Sequence, residues 1–185
     1  MLQIMTTLQL DENLIIRMAD GDGSAFRDLY QQTAGVVYGF AMSILRNKHD
    51  AEDVMHDSFI RIYSSAVTYK PTGKPMAWIL TIVRNLCYNR IRAGKVCEDL
   101  AEYDDLFGGP DDSEAVLDRM VLETAMKILD PEERQIVVLH AMTGFRHREI
   151  AEILELPTGT VLSKYNRALK KMKKEIEGKE GSDER

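Results

Sequence analysis

The sequence predicts an all-α protein of two small helical domains joined by an acidic, flexible linker. Apolar residues recur at helical spacing along most of the chain, whereas no stretch alternates apolar and polar residues over the length of a strand. Between Val96 and Ser113, glycine, proline and acidic residues cluster, a composition too polar to fold alone. A chain of 185 residues is long enough for two domains of small, ordinary size.

The acidic linker separates two predicted domains, and a short tail is expected at each end of the chain. The first domain is expected to contain four helices. The second is expected to contain four more, of which the last two form a helix-turn-helix. The segments are a tail at 1–10, the first domain at 11–95, the acidic linker at 96–113, the second domain at 114–176 and a tail at 177–185.

Each helix of the first domain has a recognisable start or stop signal. The first begins at Asp11 or Asn13 and ends at the Gly-Asp-Gly of 21–23. Ser24 is a suitable N-cap for a long second helix. The other two helices are expected from about Asp50 to Ser64 and, after a loop from Thr68 to Lys74, from about Pro75 to Arg92.

The second domain is expected to open with a helix from about Ser113 to Ile128. Asp130 then begins another, because an acidic N-cap, a proline at the first position and a glutamate at the third are a strong helix start. This helix is expected to end near Gly144. The helix-turn-helix follows, and its first helix, Arg146 to Leu154, ends before Pro157, since the residue before a proline is disfavoured in the α region.

The last predicted helix has two different faces. Val161, Tyr165, Ala168 and Met172 form an apolar face. From 158 to 174 there are six basic residues and no acidic one. Such a helix is able to enter the major groove of DNA, although an αα-hairpin with a solvated, lysine-rich face is the alternative. The polar face comprises Ser163, Asn166, Arg167, Lys170 and Lys174.

The net charge of −6 conceals a strong segregation of charge along the chain. Residues 70–96 contain six lysines or arginines and no acid, whereas residues 98–114 contain eight acids and no lysine or arginine. The final helix is basic again. Blocks of opposite sign decide which partners each segment attracts, so the net negative charge does not exclude nucleic-acid binding.

The chain lacks the residue patterns of an enzyme, a metalloprotein or a membrane protein. There is no nucleophile–base set, metal cluster or phosphate-binding loop, so neither catalysis nor a cofactor is expected. Cys87 and Cys97 are expected to be reduced thiols, with a redox switch as the alternative, and the four histidines form no zinc pattern with them. No apolar run reaches about 18 residues and the N-terminus has no signal-peptide pattern, so we expect a cytoplasmic protein without membrane insertion.

The polar face of the fourth helix combines cations, an amide and an aromatic ring. This mixture favours single-stranded nucleic acid, because cations hold phosphates while amides and rings read or stack unpaired bases. Trp78 and Tyr69 add aromatic surface near the preceding loop, although simple packing is the alternative for Trp78 and Tyr88. The face comprises Thr81, Arg84, Asn85, Tyr88, Arg92 and Lys95.

The third helix has an acidic face instead. Asp50, Asp53 and Asp57 recur on one side of it, and Glu52 and His56 lie beside them. Acids in a first turn also suit the helix dipole, so a solvated face is one interpretation of this pattern. A docking site for a basic helix of a partner protein is the other.

Three motifs in order resemble the extracytoplasmic-function sigma factors of bacterial RNA polymerase. They are DAEDVMHDSFIRIY, KPMAWILTIVRNLCYNRIR and GFRHREIAEILELPTGTVLSKYNRALKKM, and the resemblance extends over roughly Asp11 to Lys174. It implies a non-enzymatic initiation factor that binds core RNA polymerase and promoter DNA. It also implies a monomer when free and an anti-sigma factor that holds the protein inactive.

The resemblance implies a role for each of these surfaces. The acidic helix is expected to dock on the clamp helices of the polymerase, and the two DNA surfaces are expected to hold the −10 element as single strand and the −35 element as duplex. The linker is expected to thread the RNA path of the polymerase, although its acids fit a merely flexible tether equally well. The implied polymerase contacts are Asp50, Glu52, Asp53, His56 and Asp57. The implied −10 contacts are Tyr69, Lys74, Arg84, Asn85, Tyr88, Asn89 and Arg92, and the implied −35 contacts are Thr160, Ser163, Lys164, Asn166, Arg167 and Lys170.

Two positions depart from the family's usual pattern. His56 stands where members often carry glutamine, and Leu162 stands where they often carry arginine. Leu162 is able to touch a thymine methyl group but not a phosphate or guanine, so the −35 preference is left open. His147 is expected at the surface.

Two other functions of the protein stay open. One is a dimeric helix-turn-helix repressor that acts without polymerase, and the other is a sigma-like decoy that binds polymerase but does not open DNA.

Overall fold

The computed structural model describes residues 9–94 and 127–180, with side chains up to 175. Within these ranges the chain is helical and contains no β-strand, so the all-α prediction is confirmed. The helices are α1 (Asn13–Ala19), α2 (Gly23–Leu45), α3 (Lys48–Ser65), α4 (Pro75–Arg92), α5 (Pro131–Thr143), α6 (His147–Leu154) and α7 (Thr158–Glu180), and a 3-10 helix, Ala66–Thr68, follows α3.

Two sequence predictions fall on residues that the structure does not describe. The acidic linker predicted at 96–113 lies outside the described residues. So does the helix predicted from Ser113 to Ile128, apart from its last two residues, which are helical.

Side-chain caps explain where the helices begin. The Asp22 carboxylate accepts a hydrogen bond from the Ser24 amide at 2.9 Å, so Asp22 is the N-cap of α2 and the prediction of Ser24 was wrong. Ser24 instead lies within the first turn of the helix. Asn47 caps α3, which begins two residues earlier than the acidic pattern predicted. Asp130 caps α5 as predicted, by accepting from the Glu133 amide at 2.9 Å.

The N-terminal half is built around α2, against which α1, α3 and α4 all pack. Its core consists of fully buried apolar side chains from all four helices, including Ile15, Phe40, Ile62 and Ile79. Burying one side chain of this size contributes about 1.5–3 kcal/mol relative to leaving it exposed. The contacts around α2 hold α4, the helix with the predicted nucleic-acid face, in a fixed position.

The C-terminal half consists of α5, α6 and α7. The predicted apolar residues of the helix-turn-helix are buried, among them Ile150 of α6 and Val161 of α7. Gly144 adopts a φ of 68° and ends α5, which glycine does without steric cost. Glu155, at a φ of 56°, ends α6 in the same left-handed region and so turns the chain toward α7.

The two halves pack against each other, because α5 contacts α2 and α6 contacts α4. Most of their buried apolar residues form one core that spans both halves, and Leu129, Val137, Ala168 and Met172 form a second, smaller cluster. The buried Arg134 joins the halves, since its guanidinium donates to the Ser43 carbonyl at 3.1 Å and to the Leu129 carbonyl at 2.9 Å. None of the helices in the two described ranges is both long and apolar enough to cross a membrane.

Candidate nucleic-acid interface

Two sets of contacts hold the loop between the 3-10 helix and α4, one to Trp78 and one to Glu12. The Tyr69 ring packs on the Trp78 ring of α4, with 4.7 Å between their centroids. At the other side of the loop, one carboxylate oxygen of Glu12 accepts hydrogen bonds from the Tyr69 hydroxyl, the Thr72 amide at 2.8 Å and the Gly73 amide at 3.0 Å. These hydrogen bonds, the Tyr69 hydroxyl first, lower the pKa of Glu12. Burial and the Glu12 carboxylate together raise the pKa of Tyr69 to about 12.

Sequence analysis missed Glu12. It precedes Tyr69 by 57 residues and belongs to no motif. Only the packing of α1 beside the 3-10 helix brings its carboxylate to the loop.

The predicted −10 face of α4 is partly open and partly covered. Asn85, Asn89 and Arg92 are exposed, and their spacing places them on one side of the helix. Arg84 and Tyr88 are half-buried, and the guanidinium carbon of Arg84 lies 5.2 Å from the centre of the Tyr88 ring. This arrangement is a cation–π contact within the face.

The covering residues belong to the C-terminal half of the same chain. Arg84 forms an ion pair with Glu155 at 3.0 Å and donates to the Leu154 carbonyl at 3.2 Å. Lys74, at the start of α4, forms an ion pair with Glu152 at 2.7 Å, and this contact lowers the pKa of Glu152. Gln135 of α5 also donates to the Tyr88 hydroxyl at 3.4 Å, so three of the seven predicted −10 residues contact α5 or α6.

The acidic face of α3 is divided by its contact with Arg90 of α4. The side chain of Asp50 is only 6% exposed, and Arg90 donates to it at 2.6 Å. Asp53 is 61% exposed and accepts from the same guanidinium at 2.7 Å. His56 and Asp57 are exposed, and Glu52 is half-buried. Asp50 therefore joins α3 to α4 inside the domain, while the other four residues predicted with it reach the surface.

Exposed apolar residues accompany these acids. Ile60 is 69% exposed and lies one turn beyond Asp57 on α3, and Tyr63 and Val67 follow it. Sequence analysis missed them because their spacing alone does not distinguish an exposed apolar residue from a buried one. Their exposure makes this surface both acidic and apolar.

The predicted −35 face of α7 is largely open. Ser163, Asn166, Arg167 and Lys170 are exposed. Thr160 is half-buried. Lys164 forms an ion pair with Glu132 of α5 at 3.0 Å, and this hydrogen bond raises the pKa of Lys164. Leu162, which departs from the family pattern, is 47% exposed and therefore accessible to a partner.

Buried charge anchors α7 to α5 beside this face. Lys171 donates to the fully buried carboxylate of Glu133 at 2.6 Å, and the Arg167 guanidinium lies 4.0 Å from the same carboxylate. A buried carboxylate needs such a partner, because burying an unpaired charge is costly. The exposed cations of α7 thus extend from a helix whose orientation is fixed.

The structure corrects the prediction that His147 is a surface residue. His147 is half-buried, its ring stacks on that of His140 at 5.6 Å, and both contact Tyr165. Burial, and then the neighbouring His140, lower the pKa of His147. Both rings therefore belong to the packing between α5, α6 and α7.

Cys87 is buried in α4, and burial raises the pKa of its thiol to about 12, so the thiol stays protonated. Cys97 lies outside the described residues. Residues 9–94 and 127–175 contain no group of histidine, cysteine and acidic side chains able to hold a metal ion.

Family models match both halves of the chain. Sigma-70 region 2 matches residues 29–97, and Sigma-70 region 4 matches residues 119–172. The RNA polymerase sigma factor CarQ of Myxococcus xanthus is 29% identical over 85% of this chain and 92% of its own. The ECF RNA polymerase sigma factor SigW of Bacillus subtilis is 27% identical over 88% of this chain and 94% of its own.

A solved structure shows the same fold. The sigma factor RpoE of Bartonella quintana, crystallised with the anti-sigma factor NepR, superposes with a TM-score of 0.63. The two sequences are 21% identical, and the match covers 82% of this chain and 96% of that one. The matches to region 2 and region 4 fall on the halves that carry α4 and α7, and curated relatives match nearly the whole chain. This chain therefore belongs to the extracytoplasmic-function sigma factors, which direct bacterial RNA polymerase to promoters.

Proposed function

We propose that this sigma factor docks on core RNA polymerase through α3 and contacts promoter DNA through two separate surfaces. The loop at 69–74 and the exposed side of α4 take the −10 element as single strand, and α7 takes the −35 element as duplex. The observation that carries the proposal is the Tyr69–Trp78 aromatic pair followed, along one helix, by exposed amides and a cation.

The α4 surface suits unpaired bases. Aromatic side chains stack on bases without regard to sequence, and exposed amides such as Asn85 and Asn89 hydrogen-bond to base edges. Arg92, one turn beyond Asn89, supplies charge for a phosphate. This combination supports capture of a melted strand by α4.

The α3 surface suits a protein partner. Asp53, Asp57 and Ile60 recur at helical spacing and are all exposed. An apolar centre with charged residues around it is typical of a protein interface. The acids select a basic partner, which supports docking on a positively charged surface of the polymerase.

Promoter binding requires the two halves of the described chain to separate. Arg84 and Lys74 are paired with Glu155 and Glu152 of α6, so these cations are not available to phosphates while α6 covers α4. These ion pairs and the packing of α5 on α2 also fix the two halves relative to each other, so α4 and α7 do not move independently toward two promoter elements. We therefore include an opening step before, or during, assembly with the polymerase and promoter.

The remaining parts of the proposal follow from the family. Because RpoE of Bartonella quintana was crystallised with an anti-sigma factor, we include such an inhibitor as a partner of this chain. The free protein acts as a monomer in the cytoplasm. It contributes promoter choice and strand opening, and the polymerase contributes the chemistry of RNA synthesis.

Reconstitution of transcription tests the proposal. Purified chain and core RNA polymerase should yield transcripts from promoters that core polymerase alone does not use. Asp57→Arg should abolish these transcripts and weaken polymerase binding at least about tenfold, since charge reversal at a buried interface costs more than 1.4 kcal/mol. Asp20→Arg, the same change at an exposed residue after α1, is the matched control and should leave both unchanged.

A repressor would behave differently in this experiment. It would bind duplex operator alone, as a dimer, and core polymerase would not change its affinity. If Asp57→Arg gives a normal transcript yield, the proposal that α3 docks on the polymerase is wrong.

A further inference from the structure

Glu12 makes a contact that neither the family resemblance nor the sequence motifs explain. One carboxylate oxygen of this residue accepts hydrogen bonds from the hydroxyl of Tyr69 and from two successive backbone amides, those of Thr72 and Gly73. Each of these donors lies 57 to 61 residues away in sequence. All of them belong to the loop at 69–74 that the proposed function assigns to the −10 strand.

The loop backbone is shaped to receive this carboxylate. The amides of residues 72 and 73 converge on one oxygen of Glu12, and Gly73 then turns the chain toward Lys74 at a φ of 71°, in the left-handed region that glycine adopts without steric cost. Two convergent amides form a concave site for an anion, and a carboxylate in it makes charge-assisted hydrogen bonds. Glu12 supplies that anion from the turn that begins α1.

The contact determines where the proposed DNA-binding groups of the loop stand. Tyr69 is fixed on both sides, by Glu12 at its hydroxyl and by the Trp78 ring 4.7 Å from its own. The amide contacts of Thr72 and Gly73 fix the backbone immediately before Lys74. A loop that is already ordered loses less conformational entropy when a strand binds.

We propose that Glu12 is the positioning residue of the −10 loop, holding Tyr69 and residues 72–74 in the conformation that receives the unpaired strand. The inference rests on the proposed function of the loop. In this role Glu12 acts through the loop that it holds.

The test uses Glu12→Ala in the full chain, assembled with core polymerase. We expect open-complex formation, measured by permanganate reactivity of −10 thymines, to fall about tenfold, because several charge-assisted hydrogen bonds to the loop are lost. Affinity for core polymerase should change less than twofold. Trp78 is the only tryptophan in the chain, so its fluorescence in the free chain, without polymerase, reports loop order directly, and its anisotropy decay should show greater mobility in the variant.

Asp11→Ala is the matched control. Asp11 is the neighbouring acid and accepts from the Asn13 amide at 3.0 Å, so its loss perturbs the start of α1 and not the loop. Open-complex formation should stay close to wild type in this variant. An equal loss in both variants would mean that Glu12 acts only through the stability of α1, and the proposal would fall.

Two further variants keep the proposal testable if Glu12→Ala folds poorly. Glu12→Gln keeps an acceptor oxygen without charge and should recover part of the activity. Gly73→Ala meets no atom within 4 Å, yet it strains the left-handed φ, so it should disturb the loop while Glu12 stays intact. If Gly73→Ala opens promoters like wild type, ordering of this loop does not matter and the proposal is wrong.

The controls separate this inference from the function it rests on. If the wild-type holoenzyme itself opens no promoter, the proposed function fails. If the wild type opens promoters and Glu12→Ala does so equally well, only the role of Glu12 fails.

Discussion

Reversing the charge of Glu155 should strengthen binding of a single-stranded −10 oligonucleotide to the free chain. In the closed form, in which α6 covers α4, Glu155 pairs with Arg84 at 3.0 Å. The side chain of Glu155 is 69% exposed and that of Arg84 is 15% exposed. Glu155→Lys removes this attraction and sets two cations against each other. The backbone should tolerate lysine as it tolerates glutamate, since both are non-glycine residues at the same left-handed φ of 56°.

The solvent exposure of Glu155 and Arg84 determines how much the substitution changes the free energy of the closed form. An ion pair with one largely exposed partner contributes ~1 kcal/mol. Facing like charges cost about as much again, for a total of ~2 kcal/mol. The equilibrium between closed and open forms should therefore shift roughly 30-fold toward the open form.

Oligonucleotide affinity follows that shift in full as long as the open form is rare, because the open fraction is then proportional to the equilibrium constant. If only the open form binds, the apparent dissociation constant is the intrinsic constant divided by the open fraction, so a roughly 30-fold larger fraction gives roughly 30-fold tighter binding. Fluorescence anisotropy of a labelled −10 oligonucleotide provides the readout. A scrambled oligonucleotide and an Asp20→Lys variant control for the added positive charge.

Two results would refute this reasoning. If the affinity of Glu155→Lys equals that of wild type, closure by α6 does not compete with the strand. If Asp20→Lys gains as much affinity as Glu155→Lys, the effect is a nonspecific attraction of charge. Combining Glu155→Lys with Arg84→Glu should restore the closed form, which small-angle scattering detects through the radius of gyration.

Two further predictions concern α7 and the start of α2. Arg167→Ala should weaken binding to −35 duplex by about 1–3 kcal/mol and relax the preference at one base pair if this exposed guanidinium reads a base edge. Titration of variant duplexes into the holoenzyme measures this, and a uniform loss over all sequences would indicate a phosphate contact instead. The second prediction follows from hydrogen bonds donated by Ser24 and Arg17, which lower the pKa of Asp22 below its ordinary 3.8. Because the folded pKa is depressed, the stability that this carboxylate contributes is fully present above about pH 3.8 and is lost as the pH falls toward the lower, folded value. The free energy of unfolding, measured with urea, should therefore fall less between pH 7 and pH 3 for Asp22→Asn than for wild type. An equal fall in both proteins would exclude Asp22 as a source of acid sensitivity.

The predicted helices were recovered where local signals were strong. Asp130 and Gly144 bracket α5 as predicted, because an N-cap carboxylate and a left-handed glycine act through neighbouring backbone groups. The start of α2 was misplaced because Asp22 and Ser24 are both good caps, and the sequence does not show which side chain meets the free amides.

The structure shows which of the predicted site residues are exposed and which are covered, while their roles in binding stay predictions. Asn85, Asn89 and Arg92 are exposed where helical spacing placed them. Asp50, on the same acidic stripe as Asp57, is instead buried against Arg90, a residue 40 positions later. Spacing within one helix assigns a side chain to a face, but the neighbouring helix decides whether that face is covered.

The sequence by itself determined the all-α class, the order of the helices and the charge of each surface, because these depend on contacts within a few residues. Only the tertiary structure showed that Glu12 holds the loop at 69–74 and that Glu155 occupies Arg84. Both contacts join residues 57 or more positions apart, and they form only because α1 lies beside the 3-10 helix and α6 lies on α4. No local pattern encodes such pairs, since Glu12, Arg84 and Glu155 each look like an ordinary surface charge within their own helix or turn.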